Sequence, residues 1–318
     1  MNANTKPVLV IGATGRHGGT GAFVARSLLD RGVPVRAMTR KIDSRAEPLK
    51  ALGAEIVTGD LHDRSSIIKA LDGVETAYFT YPITSGIISA AANFASAGRV
   101  THLKRVVVMS MAPAHPESPS HLGRAQWIAE EVIESAGFSC LHLRIAAVFF
   151  ENLELLHRAD IEGDGVIRNS FADIAVSWIA AEDAGKIAVA ALLYPERFGD
   201  KVAVYPGGHT QHSHSEIAGV IGNFVGRTLR HETISKDAWR DRIISLAGHD
   251  DRIDADMAGH ISSVAASLTK PFPPNDIFET VTGETPLSLA EVLETGRLSF
   301  GRPVCDSDRE CSSRKSSR

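Results

Sequence analysis

Short apolar runs alternate with amphipathic stretches along the first half of the chain. The apolar runs predict buried strands just before Gly12 and over 33–39, 55–58, 74–80, 105–110 and 139–145. The stretches between them predict helices, the first around residues 23–29 and ending at Gly32, and others over 45–52, 64–72, 84–98 and 121–136. Gly98 and Gly137 are expected to end two of these helices. This alternation predicts right-handed crossovers and a parallel sheet covered by helices on both faces.

The pattern changes after about residue 150, where Pro and Gly interrupt shorter elements. Two short strands are expected at 175–179 and 202–205, and helices near 181–193, 213–225, 235–247, 252–267 and 287–294. The predicted class is α/β, with a Rossmann-type doubly wound sheet over residues 1–150, to which later segments return. A smaller α+β substrate lobe is expected over 151–303, above the carboxyl ends of the strands. Residues 304–318 are polar and are expected to form a disordered tail.

A glycine-rich loop follows the first predicted strand and leads into the first helix. Gly12 permits a tight turn, Gly15 allows the backbone to approach a pyrophosphate, and Gly18 is expected to let the helix pack on the strand. Free N–H groups at the start of the helix face the anion. Thr14, Arg16 and His17 lie in the same loop. The alternative is a glycine turn without a ligand, but the strand and helix around the loop favour a dinucleotide site.

The end of the second strand indicates which nucleotide is bound. An NAD site usually carries an acidic residue there, whereas this strand ends in Thr39, Arg40 and Lys41. The Arg40 guanidinium can contact a 2′-phosphate with two hydrogen bonds, and Lys41 adds a second charge. Arg16, inside the glycine loop, is expected to close on the same phosphate. The sequence therefore favours NADP(H) over NAD, with a solvated basic loop as the alternative.

Two further strand ends belong to the same predicted site. Asp60 and Leu61 follow the third strand, where Asp60 is expected to accept from the adenine amino group or to cap the next helix, or both, and Leu61 to pack on the ring. Thr80, Tyr81 and Pro82 follow the fourth strand, where the chain is expected to pass the nicotinamide ribose.

Composition excludes several classes of function. The formal net charge of −4 provides no basic field for direct nucleic-acid binding. No apolar run approaches the roughly 20 residues that span a bilayer, and no signal peptide is expected before Val8. The three cysteines, Cys140, Cys305 and Cys311, have no metal-binding spacing. A cytoplasmic protein is expected, and the sequence leaves a homodimer open.

Several segments together resemble the NmrA-like branch of the atypical short-chain dehydrogenase/reductases. They include the glycine loop, Thr39-Arg40, Gly59-Asp60-Leu61, Glu130-Glu131, Ser135-Ala136-Gly137, His142-Leu143-Arg144, Phe149-Phe150-Glu151-Asn152-Leu153 and Gly283-Glu284-Thr285-Pro286-Leu287-Ser288-Leu289. The resemblance covers about residues 7–301. It implies an NAD(P)-binding Rossmann domain with a substrate lobe, in a family that contains quinone and azo-dye reductases as well as redox sensors without turnover.

The chain departs from the catalytic pattern of the wider superfamily, in which a Tyr-x-x-x-Lys pair passes a proton to a carbonyl oxygen. The residue four positions after each of the four tyrosines is not a lysine. These residues are Pro82, Ser85, Phe198 and His209. Alcohol/ketone chemistry by that pair is therefore not expected. Hydride transfer to a quinone or azo group remains feasible, because the charge of the product anion is delocalised.

The residues available for such chemistry follow the fifth and sixth strands. Ser110 is expected to donate a hydrogen bond to the acceptor, the alternative being a strand-end residue that bonds the backbone. His121 is expected to supply a proton, the alternative being a surface residue at the start of a helix. Arg124 and Gln126 stand where related reductases often carry a lysine. Phe150 and Asn152 are expected to border the substrate pocket, although Phe150 would equally suit the core of the lobe.

A histidine-rich segment over 208–216 raises the question of a metal site. The spacing of His209, His212 and His214 matches no common zinc pattern, and Ser213 with Glu216 forms a capping box for the next helix. No metal site is predicted.

Two functions from different classes remain. The first is an NADPH-dependent reductase that transfers hydride to a small conjugated acceptor such as a quinone. The second is a non-catalytic redox sensor that binds NAD(P) and acts through a partner protein. The missing Tyr/Lys pair favours the sensor, and the complete substrate-lobe sequence favours the reductase, while an isomerase or dehydratase would be a rarer use of the fold.

Overall fold

The computed structural model describes residues 6–15 and 19–300, so Arg16, His17, Gly18, Cys305, Cys311 and the predicted tail lie outside the described residues. The strands are β1 (Val8–Ile11), β2 (Val35–Thr39), β3 (Glu55–Thr58), β4 (Thr76–Phe79), β5 (Arg105–Met111), β6 (Ser139–Ile145), β7 (Val148–Phe149), β8 (Val166–Asn169), β9 (Val176–Ile179), β10 (Ala203–Val204), β11 (Gln211–His212) and β12 (Arg230–Thr233). The helices are α1 (Thr20–Asp30), α2 (Glu47–Ala51), α3 (Arg64–Ala70), α4 (Ile87–Val100), α5 (His121–Glu134), α6 (Glu151–Glu162), α7 (Ala181–Leu193), α8 (His214–Val225), α9 (Lys236–Leu246), α10 (Ala255–Ser267), α11 (Ile277–Thr282) and α12 (Leu289–Glu294). A short 3₁₀ helix covers Pro195–Phe198.

Seven strands form a parallel sheet in the order β10-β6-β5-β4-β1-β2-β3, which confirms the predicted Rossmann-type doubly wound fold. The strand order reverses between β1 and β4, and in open α/β sheets the crevice at that point is where ligands bind. Helices α1 and α7 cover one face of the sheet, where Val24 and Ile187 are completely buried. Helices α3, α4 and α5 cover the other face, where Phe94 packs on Phe79.

The second half of the chain builds a lobe beside the carboxyl ends of β5 and β6. Its two small sheets have the orders β11-β9-β7 and β12-β8. Phe150 and Trp178 stack at 5.7 Å in its core, next to apolar residues of α8 and α12. Two later elements return to the large sheet: α7 packs on α1, and β10 adds the strand beside β6. Within the described ranges, no helix has both the length and the apolar content needed to cross a bilayer.

The structure also corrects some expectations. Gly98 does not end a helix, because α4 continues to Val100. A Cβ at Gly98 would lie 2.7 Å from the Phe138 ring, so this glycine allows close packing of α4. Helices α6 and α11 and strands β7, β8, β11 and β12 were not predicted. Gly32 and Gly137 follow their helices with φ of +72° and +87°, as expected for glycines after a helix end.

Candidate functional site

The glycine loop forms a tight turn between β1 and α1. Gly12 has a φ of +79°, and a Cβ there would lie 2.4 Å from Cγ2 of Thr80 at the end of β4. The N–H of Gly15 donates to the carbonyl oxygen of Gly12 at 2.9 Å. These two strand ends therefore approach each other too closely for any side chain at position 12.

Gly21, which the sequence analysis did not single out, lets α1 approach the strand. A Cβ at Gly21, in the first turn of α1, would lie only 2.5 Å from the carbonyl oxygen of Gly12. Gly21 therefore lets α1 pack closely on the strand. Gly18 itself, with Arg16 and His17, lies outside the described residues.

The end of β2 is tied to the glycine loop by hydroxyl groups. The Thr14 hydroxyl donates to that of Thr39 at 2.9 Å, and the Thr39 hydroxyl donates to the carbonyl oxygen of Lys41 at 2.9 Å. Arg40 and Lys41 are exposed. The Arg40 guanidinium has no hydrogen bond or ion pair to any residue that the structure describes, so it remains available to an anion.

A third cation, which the sequence analysis missed, lies at the same place. Arg45 donates from Nη1 to the carbonyl oxygen of Thr14 at 3.1 Å, and its Nη2 lies 2.6 Å from Oδ2 of Asp43. The guanidinium lowers the pKa of Asp43 to about 2. The loop after β2 folds back to bring Arg45 onto the glycine loop, and no local pattern marks that return.

Asp60 does not cap α3, contrary to one of the two expectations. Its Oδ1 accepts from the N–H of His62 at 2.8 Å, whereas the carboxylate of Asp63 accepts from the N–H of Ser65 and caps the helix. Leu61 is 9% exposed and packs in the core under α3 and α4. The Asp60 carboxylate therefore lies outside the helix cap, at the carboxyl end of β3.

Tyr81 lies on the opposite wall of the crevice, followed by the exposed Pro82. Its hydroxyl donates to the carbonyl oxygen of Ser85 at 3.1 Å and lies 3.0 Å from Nε2 of His62. Burial and the charge of Asp60 raise the pKa of Tyr81. The hydroxyl is thus a poor acid, in keeping with the absence of a lysine partner.

A buried polar chain starts at the predicted catalytic residue Ser110. The Ser110 hydroxyl donates a short hydrogen bond to Oε1 of Glu130, which is 1% exposed. Arg144 donates from Nε to the other Glu130 oxygen at 2.8 Å and from Nη1 to the Tyr205 hydroxyl. Burial raises the pKa of Glu130, and the hydrogen bonds from Arg144 and Ser110 oppose this. The hydroxyl hydrogen of Ser110 therefore points to the buried Glu130 carboxylate.

The other three predicted catalytic residues lie on α5. His121 is half exposed, with Nε2 3.2 Å from Oδ1 of Asp256. Arg124 is exposed and donates to the carbonyl oxygen of Ser118 at 2.6 Å, whereas Gln126 is buried. None of the three belongs to the cavity described next.

A cavity of about 160 Å³ lies between the carboxyl ends of β5 and β6 and the lobe. Ser110 and Asn152 both line it, and Phe149 lines it rather than Phe150. Fourteen of its twenty lining residues are apolar: Ile83, Met111, Pro113, Ile145, Ala147, Val148, Phe149, Leu153, Leu156, Phe171, Trp178, Ile261, Val264 and Ala265. The other six are Ser110, Asn152, His157, His214, Trp239 and His260. The cavity thus has the position and the mainly apolar lining typical of a small-molecule site.

Three histidines that the sequence analysis did not place in a site line this cavity. His157 stacks on Trp239, with ring centroids 4.9 Å apart, and the His214 ring lies 4.4 Å from that of Phe171. Nδ1 of His260 lies 2.7 Å from the Ser120 hydroxyl. Burial lowers the pKa of His157 to about 3, that of His260 to about 4, and that of His214 well below its usual value.

The histidine-rich segment has a structural role in part. Ser213 and Glu216 form the predicted capping box at the start of α8. His209 is exposed and lies 2.8 Å from Glu279, whereas His214 points from the first turn of α8 into the lobe core. Local pattern alone did not distinguish the exposed histidine from the buried one.

The chain matches a known protein family over most of its length. The model of the NmrA-like family matches residues 4–280. An NAD(P)H azoreductase from Xenophilus azovorans is 26% identical over 92% of this chain and 99% of its own. A (4-alkanoyl-5-oxo-2,5-dihydrofuran-3-yl)methyl phosphate reductase from Streptomyces griseus is 30% identical over 75% of this chain and 80% of its own.

Solved structures share the fold. An NADPH-dependent quinone oxidoreductase from Escherichia coli, solved with NADPH, has a TM-score of 0.75 and 20% identity, covering 92% of this chain and all of that one. A triphenylmethane reductase from Citrobacter sp., solved with NADP(H), has a TM-score of 0.72 and 22% identity, covering 91% and 99%. At these identities the likeness concerns the fold.

Proposed function

This chain belongs to the NmrA-like family, and from that premise we propose that it is an NADPH-dependent reductase of a small conjugated acceptor such as a quinone. The observation that carries the proposal is the mainly apolar cavity at the carboxyl ends of β5 and β6, beside the crevice where the strand order reverses. The azoreductase relative, matched over almost its full length, supports the same class of reaction.

The residues of the crevice fit a dinucleotide phosphate. A Cβ at Gly15 would lie 3.0 Å from the Gly12 carbonyl oxygen, so the loop leaves its backbone open where a side chain would crowd it. The Arg40 guanidinium, which has no partner among the described residues, and the neighbouring Lys41 would hold the 2′-phosphate, and Arg45 contacts the carbonyl oxygen of Thr14 in the glycine loop. Asp60 and Tyr81 would border the adenine and the nicotinamide ribose respectively.

When bound, NADPH supplies the hydride. The protein positions the acceptor in the cavity, where the apolar side chains of α6 and α10 exclude water. Ser110 lies at the sheet side of this cavity, and its oxygen is fixed by the bond to Glu130. Its role in this proposal is to orient the acceptor, and the delocalised product anion takes its proton from water as it leaves the cavity.

Of the four catalytic candidates, Ser110 therefore remains in the proposal. His121 pairs with Asp256 of α10, outside the cavity. We therefore expect it to affect the packing of α10 on α5 rather than the reaction. Arg124 donates to the carbonyl oxygen of Ser118 just before α5, Gln126 is buried, and neither lines the cavity.

The experiment is a purified-protein assay that follows the loss of nicotinamide absorbance with NADPH and a panel of benzoquinones and naphthoquinones. Calorimetry with NADPH and NADP⁺ is run on the same preparation. We expect NADPH to be consumed with at least one quinone. Tight NADPH binding without turnover on any acceptor would refute the reductase and favour a redox sensor.

A further inference from the structure

The polar groups of the cavity are arranged to remain uncharged. His157 and His214 are each less than 5% exposed and lie against the rings of Trp239 and Phe171. Burial keeps the pKa of both histidines below the neutral range, and the same holds for His260. At neutral pH these imidazoles therefore offer hydrogen bonds without a positive charge.

Arg242 lies near these histidines, but its guanidinium is already paired with a carboxylate. Arg242 contributes to the lowered pKa of His157, and its guanidinium forms a short ion pair with Asp160. Asp160 is 14% exposed and Arg242 is 41% exposed, so the carboxylate is the more buried partner of the pair. An anion in the cavity would have to compete with this carboxylate for Arg242.

Three ring nitrogens of the lining residues lack hydrogen-bond partners in the described part of the chain. They are Nδ1 of His157, Nδ1 of His214 and Nε1 of Trp239. The indole nitrogen is a donor only, so a ligand that satisfies it must present an acceptor atom. Buried polar groups are generally paired, and an unpaired set around a cavity indicates that a ligand or ordered water completes it.

From the apolar wall, the uncharged imidazoles and the free indole N–H, we infer that the acceptor is a neutral, planar, conjugated carbonyl compound whose oxygen accepts from Trp239. The inference rests on the proposed reductase function and narrows its substrate class. A sulfonate or phosphate on the acceptor would lose its hydration in this cavity without gaining an unpaired cation among the lining residues. Anionic acceptors are therefore excluded by the cost of desolvation.

A matched pair of quinones tests the inference: 2-methyl-1,4-naphthoquinone and 1,4-naphthoquinone-2-sulfonate. Their rings are the same size, and the electron-withdrawing sulfonate makes the charged compound the stronger oxidant, so reactivity alone favours it. We expect kcat/KM with saturating NADPH to be about 100-fold higher for the neutral quinone, the scale of an uncompensated buried charge. Equal values, or a preference for the sulfonate, would overturn the inference.

Binding separates this inference from the proposed function. The affinity of each quinone for the protein–NADP⁺ complex is measured by calorimetry alongside the rates. A neutral preference in binding without any turnover would support the cavity inference and refute the reductase. Turnover of both quinones with equal affinities would support the reductase and refute the cavity inference.

Two variants test the named contacts. Trp239→Phe keeps a ring against His157 and removes the N–H, and we expect the neutral quinone to bind about 10-fold more weakly with NADPH affinity unchanged. Trp127→Phe, on α5 outside the cavity, is the matched control and should leave quinone affinity unchanged. Asn152→Arg places a cation at the half-buried rim and should shift the preference towards the sulfonate. An unchanged ratio of affinities in Asn152→Arg would contradict the electrostatic argument.

Discussion

The buried histidines make the stability of this protein sensitive to mild acid, and His157 allows the effect to be measured at one residue. Its usual pKa of 6.5 falls to about 3 in the folded chain because the ring is fully buried. His157 does not change the free energy of unfolding above pH 6.5, where its ring is neutral in both the folded and the unfolded chain. Below pH 6.5 the unfolded chain takes up a proton that the folded chain refuses. Each pH unit in that window costs about 1.4 kcal/mol, so the free energy of unfolding should fall by about 2 kcal/mol at pH 5 through this residue.

The assay is urea unfolding at pH 7 and pH 5, followed by circular dichroism, for the wild type and for His157→Phe. The phenylalanine retains the stacking on Trp239, which has a 4.9 Å centroid distance, but cannot be protonated. We expect the pH 7 to pH 5 loss to be about 2 kcal/mol smaller in the variant than in the wild type. His249→Phe, at an exposed position, should lose as much as the wild type. The same loss in all three proteins would mean that His157 can be protonated in the folded chain, contrary to the pKa shift caused by its burial.

Three further predictions concern the crevice and the sheet. Arg40→Glu should weaken NADPH binding about 100-fold and NADH binding much less, because only NADPH carries the 2′-phosphate; equal losses in calorimetry would remove Arg40 from that site. Gly12→Ala should destabilise the fold by about 3 kcal/mol in urea unfolding, since its φ of +79° and the nearby Thr80 methyl both oppose a Cβ, and unchanged stability would contradict the described turn. Arg144→Ala should cost about 3 kcal/mol by leaving the Glu130 charge buried alone, and adding Glu130→Gln should recover part of the loss in the same assay. No recovery would mean that the damage comes from lost packing rather than from charge.

The fold was predictable because its evidence is local. The central parallel strands are buried on both faces and are therefore short apolar runs, as at β1, and the predicted bounds of β3 and β6 agree with those observed. Helix α6 was missed because it begins directly after β7 and the Phe149-Phe150 pair, a context that suggests a loop or core segment rather than a helix start.

The candidate site was predictable only in part. Residues at strand ends, such as Arg40 and Ser110, follow from the position of the strand. Arg45 reaches Thr14 across 31 positions through a folded-back loop, which no spacing rule encodes. The cavity histidines come from α6, α8 and α10, and only the tertiary arrangement brings His157 and His260 to one space.

In the proposed reaction, hydride passes from NADPH to an acceptor held in the cavity. The most direct measurement is the rate of NADPH consumption with 2-methyl-1,4-naphthoquinone in the wild type and in Val264→Trp, which fills the cavity from α10. Ala266→Trp, exposed on the same helix, is the matched control. We expect turnover in the wild type and the control, and a kcat/KM at least about 100-fold lower in Val264→Trp with NADPH affinity retained. Absence of turnover in the wild type, or full activity in Val264→Trp, would contradict the proposed reaction.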